Sequence, residues 1–270
     1  MSSLLSSKIQ NQYSFKKRPL LNFKIKISKL ISQINKFKRF NYLYLNKNQN
    51  VKSHYSKIAN DINFDDLRND FEKSGFVFIE NFFDKNFIID LKNNWPKRFF
   101  FRPKYLIEKS YDTGFKYLRH YQDHEIKYIN HFEYLKQIYK FLISEKFGVN
   151  LSKLIKDKYN LSCYSITTSI AYQGSCLFPH VDDIAITNPS DLVSKSMINC
   201  IFFIHASPNN SNSGGTGIYK DNQFLEPLFV PSNLINTLLI YKTDRDLFHG
   251  FKEIPKDSFR YAITAQFNQE

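Results

Sequence analysis

Cysteine is scarce in this chain, and its few copies form no recognised pattern. Among 270 residues only Cys163, Cys176 and Cys200 occur, and no two of them have C-x-x-C spacing. This spacing argues against both a disulfide framework and a cysteine-based zinc site. We expect three small, buried side chains in a reducing environment, and therefore a cytoplasmic location.

Long hydrophobic runs are also missing. No stretch approaches the roughly 20 apolar residues that a membrane-spanning helix needs, and nothing resembles the apolar core of a signal peptide. The chain contains no G-x-S-x-G motif. A hydrolase that uses a Ser/His/Asp triad is therefore a poor hypothesis for this sequence.

Acidic residues are absent from the first 60 positions, which hold thirteen Lys or Arg. The other 210 positions carry 25 basic and 25 acidic side chains, so the whole net charge of +13 comes from this tail. A nucleic-acid-binding face on the rest of the chain would need a basic stripe of its own. We therefore expect no nucleic-acid partner for the folded domain.

Part of the basic tail, positions 23–40, has helical periodicity, with lysines opposite an apolar face. That face is formed by Ile27, Leu30, Ile31, Ile34 and Phe37. Three interpretations stay open: a basic amphipathic helix that docks on an acidic membrane surface, an organelle transit peptide, or a loosely attached helix that reflects the residue bias of the chain. Positions 41–60 are polar and typical of a linker. We predict a partly disordered tail over 1–60.

From position 61 the pattern is that of a folded domain, predicted to span 61–270, with a helical lead-in over 61–158. Asn63 and Asp84 are the predicted N-caps of its first two helices, and Gly75 is the predicted end of the first. A strand is predicted at 76–80, and further helices at 132–147 and near 151–158. Two interpretations stay open for the aromatic, basic segments 95–106 and 111–121: packing as half-buried loops, which we favour, or lining of a substrate mouth.

The rest of the domain, 159–270, is rich in strand-like segments. β-branched and aromatic residues concentrate in 160–173, 197–205, 216–220, 235–242 and 258–267. Gly, Pro, Asn and Ser separate them. The pattern predicts an α+β protein whose core is a cupin-like jelly roll, with helices flanking it at the N-terminal side.

The candidate site begins with His180 and Asp182. Residues two apart on a strand point to the same face, so an imidazole and a carboxylate project together. His249 follows 69 positions later, and Arg260 lies eleven beyond it in an apolar strand-like run. Two histidines and one carboxylate that leave coordination positions open are the ligand set of non-haem Fe(II) oxygenases.

This ordered set resembles the 2-oxoglutarate- and Fe(II)-dependent dioxygenases, including their prolyl-4-hydroxylase-like and phytanoyl-CoA-hydroxylase-like branches. The shared features are H-x-D, the Gly-Gly-Thr turn at 214–216, then His249-Gly250 and a following Arg260. The resemblance covers roughly 160–267. It implies a double-stranded β-helix with the metal inside its open end.

The resemblance also implies roles for individual residues. His180, Asp182 and His249 would bind Fe(II), with room left for 2-oxoglutarate and O2. Arg260 would anchor the distal carboxylate of 2-oxoglutarate, since a guanidinium offers two parallel donors. Three more residues are candidate contacts of that cosubstrate: Tyr172, Ser258 and Thr264. The implied reaction is oxidation of a small organic substrate, most simply a hydroxylation, with release of succinate and CO2.

One alternative remains beside the oxygenase. A cupin-like binding or regulatory protein would keep a metal site without oxidative turnover, and would have no need for a carboxylate anchor such as Arg260. The glycines Gly214 and Gly215 are predicted to serve a turn that needs positive φ.

Overall fold

The computed structural model describes residues 33–39, 41–42, 57–110, 114–123, 132–155, 161–173, 175–181, 198–207, 214–221, 223–243 and 247–269. The strands are β1 (Phe76–Glu80), β2 (Arg102–Ser110), β3 (Gly114–Asp123), β4 (Leu161–Tyr172), β5 (Leu177–His180), β6 (Ile198–Ala206), β7 (Gly217–Tyr219), β8 (Pro227–Phe229), β9 (Thr237–Lys242), β10 (Phe248–Phe251) and β11 (Phe259–Gln269). The helices are α1 (Arg68–Ser74), α2 (Lys85–Asn93), α3 (Glu133–Leu142) and α4 (Glu145–Ser152), and residues 33–39 and 41–42 are also helical.

The strands form one sheet in the order β1-β9-β6-β11-β4-β3-β5-β10-β7-β8, with β2 paired to β3. All of these pairings are antiparallel. The predicted α+β class is therefore confirmed. The predicted strand at 76–80 is confirmed as β1. The loop packing predicted for 95–106 and 111–121 is wrong where β2 and β3 lie, because these two strands pair with each other and join the same sheet as the later strands.

The two faces of the sheet pack against different surroundings. On one face, Ile263, Ala265 and Phe267 of β11 join the largest core, which also contains the buried side chains of all four helices. On the other face, Ala262 packs in a second, smaller core with Phe203 and other side chains of β6 and β9. Since successive side chains of a strand point to opposite faces, residues of β11 with even numbers lie on this second face.

Two of the predicted helix boundaries are confirmed, and two others are wrong. Gly75 ends α1 with φ of 79°, and the Asp84 carboxylate accepts hydrogen bonds from two backbone amides at the start of α2. Asn63 does not cap α1, which begins five residues later. The helix predicted over 132–147 is broken, because Ser144 leaves the helical conformation and caps a new helix through its hydroxyl.

The sequence predicts that the three cysteine side chains are buried. Cys176 and Cys200 are buried, Cys163 is partly buried, and none forms a disulfide. Burial raises the pKa of the Cys163 thiol to about 11. No helix within the described part of the chain is long and apolar enough to cross a membrane.

Candidate metal and cosubstrate site

His180 and His249 lie directly opposite each other on paired strands. The antiparallel pairing of β5 with β10 brings the two residues into register, although 69 positions separate them in sequence. Their ring centroids are 4.3 Å apart and the ring planes are inclined by 49°. Both side chains are buried. Two imidazoles this close, away from bulk water, can ligate one metal ion.

An irregularity in the same pairing sets the direction of these side chains. Three steps along β5, from Leu177 to His180, oppose only two steps along β10, from Phe251 to His249. A bulge of this kind adds one residue to a strand and redirects the next side chain. Leu177 packs against the small buried cluster that contains Phe251. Because of the bulge, the side chain of His180 points to the same face of the sheet as that of Leu177.

The third predicted ligand, Asp182, lies outside the described residues, which end at Val181 in this part of the chain. Within the described residues, no three His, Cys, Asp or Glu side chains come together as a potential metal site. The structure therefore brings together the two predicted imidazole ligands. The carboxylate ligand stays a prediction.

Tyr241 of β9 packs behind His249, and no motif in the sequence identifies it. The two ring centroids are 4.8 Å apart with an inclination of 41°. Asn199 of β6, directly opposite Tyr241, donates a side-chain hydrogen bond to its hydroxyl at 3.1 Å. Tyr241 and Asn199 are both buried, and together they limit the space on one side of the His249 imidazole. Their contact depends on the pairing of β6 with β9 and could not be predicted without it.

Arg260 is a buried guanidinium, with 7% of the residue exposed. Its Nη1 donates to the carbonyl oxygen of Gly214 and, at 3.0 Å, to the hydroxyl of Thr216. Its Nε is buried and has no hydrogen-bond partner among the described residues. Burial lowers the pKa of Arg260 to about 9, and no described carboxylate offsets that effect. A buried cation in this state can pair with an anion.

Phe251 connects this cation to the histidine pair. The guanidinium carbon of Arg260 lies 3.8 Å from the centroid of the Phe251 ring, and Phe251 is two residues after His249 on β10. A second ring, that of Phe203, lies 5.7 Å from the same carbon. Two aromatic faces therefore shield the cation from water while leaving its planar edge for a ligand.

The Gly-Gly-Thr turn at 214–216 contacts Arg260. Its glycines were predicted to serve a turn that needs positive φ. Gly215 does not have positive φ, so the prediction is wrong for this residue, whereas for Gly214 it stays a prediction. At Gly215 the reason for glycine is space. A β-carbon there would lie 2.6 Å from the Pro231 side chain, too close for any residue but glycine.

Within the described part of the chain, the hydroxyls of Ser258 and Thr264, two other predicted contacts of the cosubstrate, form no hydrogen bond with the Arg260 guanidinium. Ser258 is buried just before β11, and its hydroxyl donates to the carbonyl of Lys256 at 3.4 Å. Thr264 is partly buried on the Arg260 face, four residues along the strand, or about 13 Å. The hydroxyl that meets Arg260 is instead that of Thr216.

Tyr172 is not brought together with Arg260. In the pairing of β4 with β11, Arg260 faces Ala171 while Tyr172 faces Phe259, so the two side chains point to opposite faces of the sheet. Tyr172 packs against the largest core, and the guanidinium of Arg98 lies 4.7 Å from its ring centroid. This placement is that of a core tyrosine, the alternative expected for any strand tyrosine.

Comparison with known proteins identifies the fold. No family model and no curated protein sequence matches the chain. Among solved structures, a prolyl-4-hydroxylase from Pseudomonas putida aligns over 77% of this chain and 99% of its own, with a TM-score of 0.51 and 9% identity. A prolyl 4-hydroxylase from Phytophthora capsici aligns over 81% of this chain and 68% of its own, with a TM-score of 0.50 and 14% identity. The resemblance to 2-oxoglutarate- and Fe(II)-dependent oxygenases is thus supported at the level of the fold, which this chain shares with prolyl 4-hydroxylases.

Proposed function

We propose that the chain is an Fe(II)- and 2-oxoglutarate-dependent oxygenase whose sheet is a double-stranded β-helix. His180, His249 and Asp182 would hold the iron, and Arg260 would anchor the distal carboxylate of 2-oxoglutarate. The observation that carries the proposal is the buried guanidinium of Arg260, which has no described carboxylate partner and packs on Phe251 beside the histidine pair.

The residues present fit these two groups. Neutral imidazoles are ligands for Fe(II), and the facing rings of His180 and His249 offer two of them within one buried space. With Nη1 of Arg260 occupied by Gly214 and Thr216, the edge that carries Nε remains for a bidentate carboxylate. When bound, iron and 2-oxoglutarate supply the oxidising chemistry, in which O2 and the cosubstrate yield oxidised substrate, succinate and CO2.

The protein contributes orientation and the exclusion of water. Tyr241 packs against His249 and is itself held by Asn199, which limits the freedom of that imidazole. Phe251 and Phe203 keep water from Arg260, so the charge–charge contact with a carboxylate is strong there. The cosubstrate would thus be fixed at one end by the cation and at the other beside the imidazoles.

Two experiments in sequence test the proposal. Anaerobic titration with Fe(II) is expected to give one bound ion per chain. Thermal unfolding with Mn(II) and a non-reactive 2-oxoacid is then expected to show stabilisation that Arg260→Met removes. Iron binding without any effect of the 2-oxoacid would favour the alternative, a cupin-like metal-binding protein without turnover.

Succinate release tests turnover itself. Candidate substrates are amino acids, peptides, lipids and nucleobases, each assayed with Fe(II), 2-oxoglutarate and O2. Peptides that contain proline belong in the first group, because both structural neighbours are named prolyl 4-hydroxylases. A substrate is identified when it raises succinate release and gains one oxygen atom by mass spectrometry.

A further inference from the structure

The N-terminal helical segment, residues 33–39 and 41–42, is attached to the folded domain by one of its faces. The ring of Tyr42 makes edge-to-face contacts with Phe99 and Phe100, at centroid distances of 5.7 Å and 5.4 Å. Arg39 is buried, and its Nε donates to the carbonyl of Asn35 at 3.2 Å. Asn35, Arg39 and Tyr42 therefore mark the face that lies against the protein.

The opposite face of this segment carries two exposed apolar side chains, next to the exposed polar residues Gln33 and Asn41. Phe37 is 67% exposed and Ile34 is 47% exposed. At about 100° per residue, Ile34 and Phe37 lie one turn apart and roughly 140–160° away from Arg39 around the helix axis. The attachment to the domain thus does not use these two side chains. Two large apolar side chains exposed one turn apart offer a surface that can contact another apolar medium.

Charge shows which medium fits this surface. Lys36 and Lys38 are exposed and flank the Ile34–Phe37 pair on either side of the helix. They belong to the first 60 residues, which hold thirteen basic and no acidic side chains, whereas the rest of the chain is balanced. The surface therefore combines exposed apolar side chains with an unbalanced positive charge, which is complementary to an anionic lipid surface.

We propose that the N-terminal helical segment docks the protein on anionic lipid bilayers, with Ile34 and Phe37 inserted at the boundary between headgroups and acyl chains. A second copy of the chain is a poorer occupant, because both copies would bring the same positive charge. A nucleic acid would satisfy the lysines but would give no role to the exposed pair. The proposal is independent of the proposed oxygenase activity.

The test is co-sedimentation of the full chain with vesicles, one set of phosphatidylcholine alone and one with about a third phosphatidylserine. The expected result is binding to the anionic vesicles, weakened by salt and weak on the neutral ones. The double variant Ile34→Ser/Phe37→Ser is expected to lower the partition by about tenfold or more, because it removes the inserted apolar area. Its matched control is Ile143→Ser/Val149→Ser, which removes two exposed apolar residues elsewhere and is expected to bind as the wild type.

Three results would overturn the proposal. They are no binding to anionic vesicles, equal binding by the Ile34→Ser/Phe37→Ser variant, and equal loss in the control variant. The same variants are also titrated with a single-stranded RNA. If RNA binds the wild type more tightly than the vesicles do, the basic tail recognises nucleic acid and the lipid assignment is wrong.

Discussion

The rings of His180 and His249 face each other across two antiparallel strands, with centroids 4.3 Å apart. Pairing of β5 with β10 produces this contact, and the bulge next to it directs His180 inward. Two neutral imidazoles in one buried space are ligands that a divalent metal ion accepts. The pair therefore supports the proposed metal site, in which Asp182, two positions after His180 in the sequence, would be the third ligand.

The first prediction concerns metal affinity. His180→Ala, His249→Ala and Asp182→Ala should each lower the affinity for Fe(II) by about a hundredfold or more, since each removes a direct ligand. Anaerobic titration measures the loss. His205→Ala is the matched control, because His205 packs between Phe259 and Tyr261 and should leave metal binding unchanged. Wild-type affinity in the His249→Ala variant would contradict the proposed site.

Binding of 2-oxoglutarate should depend on the planar shape of the Arg260 guanidinium as well as on its positive charge. Arg260→Lys keeps the positive charge but loses the planar fork, so 2-oxoglutarate should bind at least tenfold more weakly. Arg260→Met should abolish measurable binding. Isothermal titration in the presence of Mn(II) checks both variants. Arg98→Lys is the control, since Arg98 is exposed above the ring of Tyr172 and should bind the cosubstrate normally.

Thr216 should act through Arg260. Thr216→Val removes the hydroxyl that accepts from Nη1 at 3.0 Å, and a hydrogen bond to a charged group contributes about 1.5–3 kcal/mol. We expect weaker binding of 2-oxoglutarate by about tenfold with unchanged Fe(II) affinity. Thr168→Val is the matched control, because Thr168 bonds to Tyr139 on the other face of the sheet. It should lower the melting temperature without changing cosubstrate binding.

The strand pattern of 159–270 could be predicted from the sequence because β-branched and aromatic residues concentrate in its strands. Alternation carries little of this signal, since nearly every residue of β6 and β9 is buried. The strands over 161–172, 198–206, 237–242 and 259–269 match predicted segments within a few residues. The hairpin of β2 and β3 was missed, since its aromatic and basic residues do not alternate clearly. The short strands β8 and β10 hold too few residues to show a period at all.

Side-chain contacts across the sheet could be predicted only where a motif carried them. His180, His249 and Arg260 were found because their spacing resembles a known set. The Thr216–Arg260 and Asn199–Tyr241 contacts join residues 44 and 42 positions apart, and their existence depends on strand register. Strand register also determines on which face of the sheet Tyr172 lies. Arg260 is paired with Ala171, and a shift of one position would exchange the two faces.

The pH dependence of cosubstrate binding should follow Arg260. Burial lowers the pKa of this guanidinium to about 9, so it loses its proton as the pH rises through that value. The carboxylates of 2-oxoglutarate stay ionised, and the attraction between the two groups is lost. Affinity measured by titration with Mn(II) should therefore fall above pH 9. If affinity is constant up to the pH at which the protein unfolds, burial does not weaken this cation as proposed.

His205 should make the fold sensitive to acid independently of the metal site. Burial, with a smaller contribution from the charge of Lys92, lowers the pKa of His205 to about 4 from an ordinary 6.5. Between these values the unfolded chain binds a proton that the folded chain does not, so stability falls as the pH decreases from 6.5 toward 4. His205→Gln should reduce the drop in melting temperature between pH 7 and pH 5. His54→Gln, in the basic tail, should leave the drop unchanged, and equal drops in all three proteins would show that His205 does not carry the effect.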